Sequence, residues 1–155
     1  MTGERTTRVG VVGVGHLGRH HVRLLAENPM AELTAIADVK ESLRREVVDR
    51  HGVAGFADYR EMLGMVDAVS VVVPTRLHRE VSEFFLTRGV DVLVEKPIAP
   101  TVEEGERIVA AARAHGRILQ VGHVERFNKA LATIRDLQVV PRYIESSRLA
   151  PFSFR

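Results

Sequence analysis

Val9-Gly-Val-Val-Gly13-Val-Gly15-His-Leu-Gly18 decides how the rest of the chain is read. Val9–Val12 is a short apolar run of the kind found in buried strands, and helical spacing begins directly after the glycines. Gly13, Gly15 and Gly18 stand at the G-x-G-x-x-G spacing. That pattern is weak alone and gains meaning from the strand before it and the helix after it. Gly13 permits a tight turn, Gly15 leaves bare backbone that a pyrophosphate can approach, and Gly18 lets helix and strand pack closely. The helix N-terminus then offers free N–H groups and a partial positive charge.

Outward from this loop, apolar runs alternate with helical segments. Runs at Val9–Val12, Leu33–Ile36, Ala68–Val73, Val90–Val94 and Ile118–Val121, with a weaker one at Val53–Phe56, are continuous, as strands covered on both faces are. Between them, Leu17, His21, Leu24 and Leu25 share one helical face, which Asn28-Pro29 ends. Leu43, Val47 and His51 line a second helix stopped by Gly52, and Leu77, Val81, Phe84 and Phe85 a third stopped by Gly89. Thr101-Val-Glu-Glu104 reads as a capping box opening a fourth helix, which ends at His115-Gly116. This alternation predicts right-handed crossovers and an α/β doubly wound parallel sheet, a Rossmann fold. Residues 1–124 form that expected dinucleotide-binding domain. Residues 125–155 are expected to supply a connecting helix over Arg126–Leu137 and a strand over Arg142–Arg148, the start of a truncated second α/β domain.

Composition narrows the function. The 155 residues are 45% hydrophobic and 27% charged, which argues against a disordered chain. Net charge is only +2, aromatics are 5% and Trp is lacking, so neither the basic stripe nor the stacking platform of a nucleic-acid binder is evident. No apolar run is long enough for a membrane span, and Met1-Thr-Gly-Glu-Arg5 does not read as a secretory signal. Zero Cys excludes disulfides and thiolate metal sites and fits a cytoplasmic protein; no metal site is expected.

Three further clusters carry chemistry. Asp38 ends the second strand about twenty residues beyond the glycine loop, where a carboxylate accepts hydrogen bonds from both adenosine ribose hydroxyls and repels a 2′-phosphate. NAD is therefore favoured over NADP, although Lys40 nearby pulls the other way. Pro74-Thr75-Arg-Leu-His78 follows the fourth strand at its carboxyl end and reads as a wall of the cofactor cleft; the alternative is a plain helix cap with His78 in solvent. Glu95-Lys96-Pro97 closes the next strand. Lys96 there can hydrogen-bond a substrate hydroxyl and share in moving its proton, the alternative being a Lys–Glu surface pair. Gly122-His123-Val-Glu-Arg126-Phe127-Asn128 supplies His123 and Arg126 for a hydroxylated or anionic substrate, or else an interdomain hinge. Within the loop His16 is placed to line the diphosphate, whereas Arg19, His20 and His21 read as surface residues.

Taken in order, the Val9–Gly18 fingerprint, Asp38, Pro74-Thr75-x-x-His78, Glu95-Lys96-Pro97 and Gly122-His123 resemble the N-terminal domain of the glucose–fructose oxidoreductase, inositol dehydrogenase and MocA family. The form Gly-His-Val-Glu-Arg-Phe-Asn is similar to that of nucleotide-sugar members such as UDP-N-acetylglucosamine 3-dehydrogenases, although Lys129 stands where members commonly have Pro. The resemblance implies reversible hydride transfer between nicotinamide and a carbon of a sugar, nucleotide sugar or cyclitol. It makes Lys96 the catalytic residue. It assigns cofactor contacts to Gly13, Gly15, His16, Leu17, Gly18, Asp38, Pro74, Thr75, His78, Glu95 and Lys96. It implies substrate contacts at Lys96, His123 and Arg126. It also implies that most substrate contacts and the homo-oligomer interface belong to a second domain with an open sheet, leaving this chain inactive alone. A different class of function is a free-standing dinucleotide sensor without chemistry, which has no need of a lysine at the hydride edge.

Overall fold

The computed structural model describes residues 6–131 together with Arg142, Tyr143, Glu145 and Ser147. Among these, the apolar runs become six strands: β1 (Thr7–Val12), β2 (Ala31–Ala37), β3 (Ala54–Phe56), β4 (Ala68–Val71), β5 (Asp91–Val94) and β6 (Leu119–Val121). All pair in parallel in one sheet, ordered β3-β2-β1-β4-β5-β6. The helices are α1 (His16–Glu27), α2 (Glu41–His51), α3 (His78–Leu86) and α4 (Val102–Ala114).

Consecutive residues of β1 show why the runs are continuous rather than alternating. Val11 packs with Val14, Val22, Ile36 and Val47, under α1 and α2. Val12 packs into the other cluster, with Val81, Phe85, Ile108 and Ala112 from α3 and α4. Both faces of the sheet are thus covered, and the central residues of β1 are apolar whichever way they point.

Several local expectations shift. In α1, Leu17 and Leu24 are exposed, and Gly18 and Val22 form the buried line. Gly52 caps α2 in the left-handed conformation at φ 66°. Gly116, directly after the C-cap His115, is left-handed at φ 60° as expected, and Gly89, at φ 83°, stands two residues past the C-cap Thr87. Half of the capping box forms: the Thr101 hydroxyl accepts from the Glu104 N–H at 3.3 Å, but the Glu104 carboxylate takes Arg79 Nε of α3 at 3.1 Å. The first turn of α4 instead binds Glu103, whose carboxyl is held below its ordinary range by its own backbone N–H and by Thr101.

The chain divides into two compact units at His123/Val124. In the second, Val124–Phe127 is a 3-10 turn rather than the first turn of a helix. Asn128 interrupts it, its Oδ1 accepting from the Ala130 N–H at 3.0 Å, because a short polar side chain competes for backbone donors and caps a new helix. Helical residues begin at Lys129, and the expected helix beyond Leu131 lies outside the described residues. Of the expected strand at Arg142–Arg148, the four described residues are in no strand, and the others lie outside the described residues. No described helix is long and apolar enough to cross a membrane.

Candidate cofactor and catalytic site

Strand order reverses between β1 and β4: from β1 the chain moves outward to β2 and β3, then returns to the other side for β4, β5 and β6. Helices consequently leave opposite faces there, and a crevice opens at the strands' carboxyl ends, where open α/β sheets bind ligands. Gly13–Gly18, Asp38, Pro74-Thr75, Lys96 and His123 all follow carboxyl ends of strands.

The three loop glycines do three different things. Gly13 has φ 88°, its N–H donates to Ala37 O at 2.7 Å, and a Cβ there would run into the Val72 carbonyl. At Gly18 a Cβ would collide with the Gly13 carbonyl oxygen, so α1 sits directly on the loop. At Gly15 a Cβ would meet nothing within 4 Å, and φ is an ordinary −65°. Nothing among the described residues requires glycine at 15; its lack of a side chain leaves open space over the N-terminus of α1. Gly15 is also the N-cap, without a side chain to satisfy first-turn N–H groups, and no acid occupies that turn. Free N–H donors, a dipole end and open space are what a diphosphate needs.

Asp38 is partly buried and joins this loop to the end of β2. Its Oδ2 accepts from the Val14 N–H at 2.9 Å and its Oδ1 from the Lys40 N–H at 2.8 Å. A carboxylate has about four lone-pair positions, which leaves capacity for a ribose diol. Arg44, on the first turn of α2, donates to the Asp38 carbonyl at 2.8 Å and so holds the strand end. Sequence reasoning missed Arg44; its place four residues after Lys40, on the helix that starts beside Asp38, was the available signal.

On the other side of the switch point, two expectations change. His78, read as a cleft wall or a solvent residue, is 1% exposed. Its Nδ1 lies 2.9 Å from Pro97 O and its Nε2 2.9 Å from Val73 O, so both ring nitrogens face backbone carbonyls. A 3-10 turn over Thr75–Leu77 precedes α3 and rotates His78 inward. Glu95, read as a cofactor contact or a partner for the Lys96 side chain, is 8% exposed, and its carboxylate turns into the protein. Oε1 meets His21 Nε2 at 3.1 Å and Oε2 accepts from the Lys96 N–H at 3.1 Å. His21 is accordingly not a surface residue; its Nδ1 reaches Ser70 Oγ at 2.7 Å.

What remains outward is a short set. His16 and Leu17 are exposed on the first turn of α1, with His16 edge-on to His20 at 5.5 Å. Thr75 is half-buried behind exposed Pro74. Lys96 is exposed, and no described residue bonds its ammonium. His123 is exposed, its N–H donating to Val121 O at 2.7 Å. Arg126 is exposed in the turn that opens the second unit. A separate apolar groove of about 750 Å³ along α4, lined by Ile98, Thr101, Gly105 and Val109, contains none of these residues.

Comparison with known proteins finds dehydrogenases that share this fold. UDP-N-acetylglucosamine 3-dehydrogenase of Acidithiobacillus ferrooxidans is 36% identical over 149 residues, covering 96% of this chain and 47% of that protein. Scyllo-inositol dehydrogenase from Lactobacillus casei, solved with NAD(H) and scyllo-inositol, superposes with a TM-score of 0.81 at 29% identity, covering 86% of this chain and 41% of that one. The WlbA dehydrogenase from Bordetella pertussis, solved with NADH and UDP-GlcNAcA, gives a TM-score of 0.80 at 28% identity, covering 84% and 41%. The chain therefore spans less than half the length of these relatives. Residues 7–123 match the family described as oxidoreductases with an NAD-binding Rossmann fold, and the chain belongs to that family.

Proposed function

We propose that the chain is the cofactor-binding part of an NAD-dependent dehydrogenase acting on a CH–OH group of a sugar, nucleotide sugar or cyclitol. The observation that carries this reading is an exposed lysine, free of partners among the described residues, at the end of β5. It stands on the same sheet edge as the uncapped, open N-terminus of α1. When bound, the nicotinamide accepts or returns the hydride. The first turn of α1 holds the diphosphate and Gly15 gives it room. Asp38 takes the ribose diol and disfavours a 2′-phosphate, so NAD is preferred to NADP. Lys96 Nζ orients the substrate hydroxyl and takes or returns its proton as the carbon is oxidised or reduced. Thr75 and Pro74 border the cleft beside the nicotinamide ribose, and His123 and Arg126 contact the substrate. Residues from 125 onward begin a second domain that supplies further substrate contacts and the homo-oligomer interface.

The relative named for UDP-N-acetylglucosamine, which matches 96% of this chain, supports a nucleotide sugar ahead of a free cyclitol. A sensor without chemistry is the less economical reading, since it leaves Lys96 without a purpose. The test uses a longer protein in which this chain runs on into its second domain. Lys96→Ala is expected to lower turnover of NAD with a UDP-sugar or an inositol while calorimetry shows unchanged NAD affinity. Unchanged turnover removes Lys96 from the chemistry, and failure of the chain to bind millimolar NADH removes the cofactor reading.

A further inference from the structure

Lys96 is flanked by two residues that are each anchored by a histidine, and the histidines come from opposite faces of the sheet. On the α1 face, Glu95 is a carboxylate 8% exposed, which is costly to bury unless its oxygens are bonded. Oε1 receives His21 Nε2, and Oε2 receives the N–H of Lys96 itself. A carboxylate only accepts, so Nε2 of His21 carries the proton. Nδ1 is fixed at its other side by the buried Ser70 hydroxyl of β4, so both ends of the ring are held. Room for this carboxylate comes from Gly122 at the end of β6, where a Cβ would stand 2.8 Å from Glu95 Oε1. On the α3 face, His78 bridges the carbonyls of Val73, at the end of β4, and Pro97, immediately after Lys96. Carbonyls only accept and a neutral ring carries one N–H, so the ring donates to one carbonyl and packs against the other, lying between the two loops that border the crevice.

We propose that His21 and His78 are positioning residues that hold the Lys96 backbone from opposite faces of the sheet, His21 through Glu95 and His78 through the Pro97 carbonyl. This rests on the reading of Lys96 as the group at the hydride edge. The backbone on both sides of Lys96 is tied down, and its side-chain nitrogen stays available. Proton transfer requires the amine within hydrogen-bond reach of one hydroxyl, a tolerance that loose strand ends do not meet. His21 links this position to the helix that receives the diphosphate, and Ser70 links it to the strand leading to Thr75.

The test is performed on the chain itself, by acetylating lysines with acetic anhydride and reading each site by mass spectrometry, with Lys129 as internal standard. At NADH about ten times its Kd, an amine shielded by bound cofactor is slowed about tenfold. Wild type is expected to show that protection at Lys96. His21→Leu and His78→Leu are expected to bring it below about twofold while the NADH Kd, by calorimetry, changes less than about threefold, because both rings are turned to protein groups. His21→Gln, which can still donate to Glu95, is expected to restore protection. If the leucine variants unfold, two milder changes decide. Gly122→Ala pushes only the mobile end of the Glu95 side chain off His21, and His78→Gln offers one nitrogen to two carbonyls. Wild-type protection in these folded variants overturns the positioning role and leaves the function standing. Lack of protection in the wild type overturns the placement of Lys96, and the positioning role with it.

Discussion

Gly15 and Gly18 stand three residues apart in one motif, yet the structure predicts opposite consequences for the same substitution to alanine. At Gly15 a methyl group meets nothing within 4 Å and the backbone, at φ −65°, suits alanine. Stability is therefore expected to change by less than about 1 kcal/mol, the loss of a glycine N-cap being nearly balanced by reduced freedom of the unfolded chain. The methyl does, however, fill the space above the first turn of α1. Losing one charge-assisted hydrogen bond from the diphosphate costs about 2–3 kcal/mol, a rise in NADH Kd of roughly 30- to 150-fold. At Gly18 the methyl collides with the Gly13 carbonyl, which is backbone and cannot swing aside. Overpacking of this kind costs about 1–3 kcal/mol, against which alanine returns about 1 kcal/mol of helix propensity. A net destabilisation of about 0–2 kcal/mol is expected, with weakened binding as a consequence of the displaced loop. Urea unfolding and NADH calorimetry on both variants separate the two effects. Wild-type NADH affinity in Gly15→Ala would refute the placement of the diphosphate, and a Gly18→Ala variant more stable than wild type by the full helix propensity of alanine would refute the packing argument.

Asp38→Ala is expected to weaken NADH more than NADPH, shifting their affinity ratio by about tenfold. The ratio is the informative quantity, because removing the carboxylate also strips the Val14 and Lys40 N–H groups of their acceptor; an equal loss for both cofactors places Asp38 away from the ribose. Thr101→Ala should cost about 1 kcal/mol of stability in urea by removing the N-cap of α4. Glu103 is depressed in the folded state, so its share of that loss is present at neutral pH and fades as acid protonates it; a loss that does not shrink in acid counts against the Thr101–Glu103 bond. Burial, and then its hydrogen bond to Glu80 at 2.9 Å, pushes the Tyr59 hydroxyl up to about 12. A folded value above the unfolded one means stability that is complete below about pH 10 and lost as pH rises through about 12. Ultraviolet titration of a Tyr143→Phe variant should show phenolate only near that upper value, and ionisation near 10 in the folded chain would contradict the geometry.

The sheet and the glycine turn at its edge were legible in the sequence because they depend on properties a residue carries with it. Val9–Val12 is apolar on both sides whatever packs there, a turn like that of Gly13 at φ 88° favours glycine, and Asp38 lies one crossover from the loop. The charge at the end of β5 was legible, but not which residue carries it outward: Glu95 follows the strand directly and is buried, and Lys96, one place on, is exposed. The polar residues beside these positions were not legible. His78 and Glu95 sit in the same short motifs as Thr75 and Lys96, yet they turn inward, and His21 joins them from 74 positions away from Glu95 in the chain. Asn128 likewise broke a segment whose periodicity was helical throughout. An apolar side chain needs only the absence of water, which local pattern predicts. A buried polar side chain needs particular partners at hydrogen-bond distance, and only the folded chain brings those partners together.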